Sequence, residues 1–260
     1  MNKYFPLLVN LLPKTDLRYK QWKKSLKKRP APWNKGKTAL THHSIAKISE
    51  TFKRKRIDNF KEWRDRMKAI GKIKSTYPVF NRNGDLAELI GVILGDGHIG
   101  KFPRTEVLTI LSNSNNKGFI KRYFNIVKRV FDKKPSIFKR KKSNCVEIKI
   151  YQKEISKRLG IPSGSRKNLK IKIPRWVSQN KNHLKRYLRG LYEAEGSFSI
   201  HKPTYTHKLV FSNKNNYLLE IVFSALKRLR FHPHKSKYSI QVSRKKEVFK
   251  LKELIRFRKY

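Results

Sequence analysis

From Asp85 onward, the apolar and polar positions fall into a series of elements that occurs twice. Each copy opens on an apolar helical stretch, DLAELIGVILGDGHIG in the first and HLKRYLRGLYEAEGSFSI in the second. A strand ending in Ser-Asn follows, LTILSNSNN over 108–116 and KLVFSNKNN over 208–216. Amphipathic helices come next, GFIKRYFNIVKRVFD and YLLEIVFSALKRLRF. Helical spacing puts Ile120, Phe124, Val127 and Phe131 on one face of the first, and Leu218, Val222, Ala225, Leu226 and Leu229 on one face of the second. Strands of period two appear at 146–152 (VEIKIYQ) and 238–244 (YSIQVSR), and each copy ends in a further helical pattern, KEISKRLGI or KEVFKLKELIRF. The unit is helix, strands, helix, strands, helix. Equivalent positions stand 99 residues apart, as from Asp96 to Glu195. Five elements recurring in order predict a duplicated α+β domain.

The first 80 residues follow another pattern. They carry 22 Lys and Arg against 5 Asp and Glu. KKSLKKRPAPWNKGKT, with Pro30, Pro32 and Gly36, reads as an extended or turning segment. SIAKISETFKRKR and FKEWRDRMKAIGKIK have helical patterns too short and too polar to stand alone, so this part reads as an appendage that orders on nucleic acid. The expected division is a basic appendage over 1–84, a first repeat over 85–180 and a second over 181–260.

Charge narrows the function. The chain has 65 Lys and Arg, 17 Asp and Glu, and a net charge of +48 over 260 residues. Such a chain repels itself unless a polyanion neutralises it, which points to nucleic acid. Charge alone leaves a ribosomal protein or another structural RNA binder open beside a DNA enzyme. The single cysteine, Cys145, excludes an internal disulfide or a Cys-based zinc site, and its neighbours Val146 and Ile148 place it in or beside a strand. No apolar run approaches a membrane span, and MNKYFPLLVNLLPKTD does not read as a signal peptide. The expected setting is a reducing compartment, cytoplasmic or organellar matrix, in association with nucleic acid.

The chemistry sits where each repeat begins. Leu89-Ile90-Gly91-Val92-Ile93-Leu94-Gly95-Asp96-Gly97 and Leu188-Arg189-Gly190-Leu191-Tyr192-Glu193-Ala194-Glu195-Gly196 are helices with small residues four apart. Gly91 with Gly95, and Gly190 with Ala194, would let two backbones approach closely. Each helix ends in an acid followed by Gly, a residue suited to a helix C-terminus. Side by side, the helices would bring Asp96 and Glu195 together at their negative ends, a repulsion that a divalent cation such as Mg²⁺ relieves. Both segments resemble the LAGLIDADG motif of homing endonucleases, and two of them in register with the repeat resemble the single-chain, two-motif form. That resemblance covers about 85–260. It implies two pseudo-symmetric half-domains, each an antiparallel sheet packed on helices. It also implies a monomer of intron-type mobile elements that cuts double-stranded DNA with short 3′ overhangs, Asp96 and Glu195 being the metal ligands.

Two further stretches carry likenesses. LGIPSGSRKNLKIKIPRW over 159–176 resembles the loop before the second motif in that family, and makes Lys167, with neighbours Arg166 and Lys170, a candidate catalytic cation. PWNKGKTALTHHSIAKISETFKRKR resembles nuclease-associated modular DNA-binding segments and offers Trp33, Asn34, Lys35 and Lys37 as DNA contacts. His42 and His43 read as polar or phosphate-contacting rather than as zinc ligands. By strand alternation Val146, Ile148 and Ile150 pack inward and Glu147, Lys149 and Tyr151 face DNA. Ile240 and Val242 pack inward and leave Ser239, Gln241 and Ser243 outward. Ser197, Ser199 and His201 alternate with Phe198 and Ile200. Lys149 and Gln241 hold equivalent places, and both residue types can read base edges. Two other readings use the same scaffold: an RNA-splicing maturase with intron RNA as partner, and a non-catalytic regulator. Loss of the acids would favour either, and both acids are present. Nothing at the N-terminus suggests an intein.

Overall fold

Among the described residues, Asp16 caps the first helix, α1 (Leu17–Lys27), its carboxylate accepting from the Arg18 amide at 2.8 Å. The computed structural model describes residues 12–73, 76–141, 143–165 and 169–260. It divides into two compact units, Met1–Ser75 and Thr76–Tyr260. In the smaller unit α1 runs further than the sequence pattern implies: Lys23–Lys27, expected to be extended, form its last turns, where Lys24 and Lys27 sit against the negative end of the helix. The chain then turns, with Gly36 at φ +76, and continues into α2 (His43–Arg54) and α3 (Lys61–Ala69). None of the three helices contains a buried residue. Short helices without a core have only marginal stability of their own.

The larger unit contains the repeat. The first copy is α4 (Gly84–Asp96), β1 (Gly97–Lys101), β2 (Glu106–Asn113), α5 (Lys117–Phe131), β3 (Ser136–Lys139), β4 (Cys145–Gln152) and α6 (Ile155–Leu159). After the short α7 (Arg175–Gln179), the second is α8 (Lys181–Glu195), β5 (Gly196–His201), β6 (Thr206–Ser212), α9 (Asn216–Arg228), β7 (His234–Ser236), β8 (Ser239–Val242) and α10 (Lys245–Leu254). Each copy forms a four-stranded antiparallel sheet with the same strand order, β1-β2-β4-β3 and β5-β6-β8-β7. Residues 76–84, grouped with the appendage by composition, belong to this unit. Phe80 is buried against Phe131 at 4.9 Å, with the Arg158 guanidinium 3.7 Å from its ring, and Arg158 also donates to the Pro78 carbonyl.

One core runs through both copies, and it holds the residues the alternation assigned to it: Val146, Ile148, Ile150, Ile240 and Val242 are all buried. α9 buries Leu218, Val222, Ala225 and Leu226 as expected, with Leu229 just past its end. α5 is turned from its expected face. It buries Phe119, Tyr123 and Ile126 beside Val127 and Phe131, while Ile120 and Phe124 are only partly covered. The helix is apolar over more than one stripe and packs on both α4 and β4, so two faces compete for burial.

The centre of the unit is the contact of α4 with α8. A methyl group added at Gly190 would lie 2.1 Å from the Glu88 carbonyl oxygen, and one at Gly91 2.3 Å from that of Tyr187. One added at Gly95 would meet the Ala194 methyl at 2.4 Å. The four small residues therefore let the backbones touch, as their spacing predicts. Around this seam lies a buried ionic network. Glu88, fully buried, accepts from Arg122 at 2.5 and 2.7 Å and from Arg186, and Arg189 lies 3.6 Å away. Glu193 accepts from the Arg258 amide at 2.7 Å and from the Tyr260 hydroxyl. Arg189 donates to the Lys259 carbonyl at 2.6 Å.

The glycines that close the motif helices serve a purpose other than the expected one. Gly97 and Gly196 have φ of −87, not left-handed values. A Cβ at Gly97 would stand 2.5 Å from the Ile93 Cα, and one at Gly196 2.3 Å from the Tyr192 carbonyl oxygen, so each strand doubles back onto the last helical turn where only glycine fits. For the seam itself, Gly190→Ala should lower stability by at least about 1–3 kcal/mol, because backbone atoms cannot yield as a flexible side chain can. Chemical denaturation measures it, and an unchanged midpoint would exclude the close contact.

Candidate active site and nucleic-acid interface

Asp96 and Glu195 are the last residues of α4 and α8. The packing of Gly91 on Gly190 brings these two C-termini together, and a Cβ on Gly95 would meet the Glu195 Cγ at 3.0 Å. Both carboxyls are half-buried. Burial, with the charge of Glu195 added, pushes the Asp96 carboxyl up to about 7. Burial also raises Glu195, opposed by a hydrogen bond from the Asn213 amide at 3.1 Å. Among the described residues no cation pairs with either acid.

An open cleft of about 740 Å³ adjoins Glu195. Its walls include Gly95 and His98 from the first copy and Ser212, Asn213, Lys214 and Asn215 from the end of β6. Asn215 is buried, caps α9 by accepting from the Leu218 amide, and donates to the Leu169 carbonyl, which fixes the turn that carries Lys214. His98, Asn213 and Lys214 escaped the sequence reading. The signal for Asn213 and Lys214 was present in the paired Ser-Asn-Ser-Asn-Asn and Ser-Asn-Lys-Asn-Asn stretches, which served only to mark strand ends. Lys167 and Arg166 lie outside the described residues; Gly164 and Ser165, just before them, line the cleft, and Lys170 is exposed.

The expected strand residues lie on the sheet faces away from the helices. In the first sheet His98, Thr109, Lys149 and Ser136 pair across the four strands as one row, and in the second Ser197, Val210, Gln241 and His234 do the same. Lys149 and Gln241 are therefore equivalent, as alternation implied. Ser199 pairs with Lys208 and His201 with Thr206. Tyr151, Ser197, Ser199 and His201 are exposed; Ser239, Gln241 and Ser243 are half-buried. Glu147 departs from its expected place facing DNA: it is 4% exposed, beneath ion pairs with Arg140 and Lys149. An unpaired carboxylate on this face would repel phosphate; these cations mask it. In the smaller unit Trp33 is 60% exposed, edge-on to His42, with the Lys37 ammonium 5.6 Å from its ring and Asn34 and Lys35 exposed in the same turn.

Residues 182–259 match the family model described as a LAGLIDADG-like domain. The second repeat is a LAGLIDADG-like domain. The solved homing endonuclease I-WcaI, bound to its DNA recognition sequence, is similar over 73% of this chain and 87% of its own at 20% identity, with a TM-score of 0.50. Thus the two-repeat unit has the LAGLIDADG homing endonuclease fold, with two half-domains. I-DmoI in complex with DNA and Mn aligns over 67% of this chain and 97% of its own, at 21% identity and TM-score 0.47. The N-terminal LAGLIDADG domain of DUF199/WhiA aligns over 69% and 86%, at 18% identity and TM-score 0.46. No curated protein matches the sequence.

The raised Asp96 carboxyl sets a pH dependence. The folded protein keeps this proton to about 7, while a free aspartate releases it near 3.8. Folding takes up a proton between those values, so this group costs stability as pH rises through that window. In chelating buffer Asp96→Asn should raise the melting temperature, and by more at about pH 8 than at about pH 5. An equal gain at both pH values would show that the carboxyl ionises freely in the fold.

Proposed function

We propose that the protein is a site-specific homing endonuclease that makes divalent-metal-dependent double-strand breaks in DNA. The observation that carries this reading is the pair Asp96 and Glu195, two half-buried carboxylates forced together at the ends of packed helices with no cation among the described residues to neutralise them. Among the described residues no group of three or more His, Cys, Asp or Glu could hold a metal alone. Two oxygen-donor carboxylates fit a hard divalent cation that completes its shell with water and substrate phosphate, Mg²⁺ being the choice the donor set favours. Such a cation, when bound, supplies water activation and neutralises charge on the phosphate.

The chain's own groups supply the rest. Asn213 holds the Glu195 carboxylate in one orientation. Lys214 offers an ammonium to a phosphoryl oxygen, and the loop approaching through Gly164 and Ser165 keeps Lys167 a candidate for the same task. The rows through Lys149 and Gln241 present donors and acceptors of the kind that read base edges in the major groove. Trp33, Asn34, Lys35 and Lys37 form a basic aromatic turn suited to a DNA backbone outside the cut site. The proteins similar in fold that were solved with DNA support the substrate class.

Selection of cleavable sites from a randomised DNA library with Mg²⁺ tests the reading directly. A recovered consensus with breaks in both strands is expected; binding without cutting would instead describe a regulator. On the selected site, Asp96→Asn and Glu195→Gln should each slow cutting by on the order of 100-fold or more while affinity stays close to wild type. Full metal-dependent activity in either variant would remove the acids from the reaction. Removing residues 1–75 should leave a folded unit that cuts the same site with lower affinity. Its plot of log K against log salt should become shallower, by about 0.9 for each phosphate that the shortened protein no longer neutralises. An identical slope would mean that the appendage does not touch DNA.

A further inference from the structure

After α10 the chain crosses α8 and reaches α5 of the first copy, and its backbone is bent to do so. Arg256 and Arg258 both have left-handed φ, 49 and 51, a region that residues with a side chain keep only where their surroundings hold them. The contacts of this strap, residues 255–260, gather on the second motif. Phe257 is buried and edge-on to Tyr192, and the Lys259 carbonyl accepts from Arg189 at 2.6 Å. One oxygen of Glu193 accepts from the Arg258 amide at 2.7 Å, the other from the Tyr260 hydroxyl. The Arg258 guanidinium donates to the Gly196 carbonyl at 3.3 Å. Glu193 and Gly196 flank Glu195, so the strap grips the chain on both sides of that acid. Its far end is fixed on the first copy, where a Cβ at Gly118 would lie 2.4 Å from the Tyr260 ring.

We propose that Arg258 is a positioning residue for the reaction: by tying Gly196 to the strap that holds Glu193, it sets the direction in which the Glu195 carboxylate leaves the end of α8. This rests on the nuclease reading above. Glu195 is the last residue of its helix, where backbone groups lose their helical partners and the chain tends to fray. The chain turns into β5 at Gly196, and the acid would swing with that joint. Both sides of the joint are held. The Gly196 amide donates to the Tyr192 carbonyl, and its carbonyl accepts from Arg258. With the backbone fixed, the hydrogen bond from Asn213 can orient the carboxylate itself. The need for such a clamp is steep, since misplacing a reacting group by about 1 Å costs on the order of 100-fold in rate. Arg258 acts through the backbone, and it is exposed, so replacing its side chain opens no hole in the core.

The test uses full-length protein and the target recovered by selection. Arg258→Met keeps the aliphatic stem and the amide bond to Glu193 and removes only the guanidinium. Its denaturation midpoint, and its affinity for the target in chelator, should stay close to wild type. Single-turnover cutting at saturating DNA and Mg²⁺ should fall by roughly 10- to 100-fold, and the Mg²⁺ concentration for half-maximal rate should rise. Arg258→Lys, which keeps a cationic donor, should recover most of both. Binding gives a readout apart from activity: replacing chelator with Ca²⁺ should tighten wild type on the target, Arg258→Met should lose most of that gain, and Arg258→Lys should keep it. A wild-type cutting rate and Ca²⁺ gain in Arg258→Met overturn the proposal. So does a cutting defect matched by weaker binding in chelator, which would make Arg258 a DNA contact, or one that Arg258→Lys does not relieve. Each of these outcomes leaves the nuclease reading intact; failure of wild type to cut overturns both.

Discussion

Everything in the larger unit depends on two helix backbones being able to touch. Gly91 against Tyr187 and Gly190 against Glu88 leave no room for even a methyl group. That contact fixes the distance between the two copies, and so joins their separate helices and sheets into one core. It also sets the separation of Asp96 from Glu195, because both stand at the ends of the touching helices. The same glycines therefore serve packing and chemistry, and the carboxylate repulsion at the helix ends is borne by the hydrophobic contact along their length.

Acids are scarce in this chain, 17 against 65 basic residues, and the larger unit concentrates several of them where water is excluded. Asp85, Glu88 and Glu193 lie along the seam and are answered by Arg122, Arg129, Arg186, Arg189, Arg258 and Tyr260. Burial works against the charge on Asp85, yet hydrogen bonds from Arg129 and Arg186 hold its carboxyl low. Among the described residues, Asp96 and Glu195, further along the same helices, receive no such cation. The contrast separates Asp85, whose charge the fold satisfies, from Asp96 and Glu195, whose charge burial opposes.

Much of this was legible in the sequence because period and repetition report on burial. The small residues at Gly91, Gly95, Gly190 and Ala194 announced the close helix pair, and alternation sorted Ile148 from Lys149 and Ile240 from Gln241. The missed features depend on long-range partners that local pattern does not encode. Glu147 is covered because Arg140 and Lys149 reach over it, and α5 turns because two surfaces compete for its apolar sides. Asn213 and Lys214 belong to the site because the chain folds a strand end back to Glu195. The last turns of α1 were masked by a lysine-rich composition that suits a helix terminus as well as a loop.

The ionic seam also bears on how freely such halves can be exchanged. Arg186 and Arg189 come from the second copy but serve Glu88 in the first, while the segment ending at Tyr260 lies over Gly118 of the first copy. Two halves taken from different chains would each keep a foldable sheet, yet would join with a buried carboxylate facing no guanidinium. Recombining halves therefore means moving Asp85, Glu88, Arg122, Arg186 and Arg189 as one inherited set; the sheets can diverge independently only while that set stays matched.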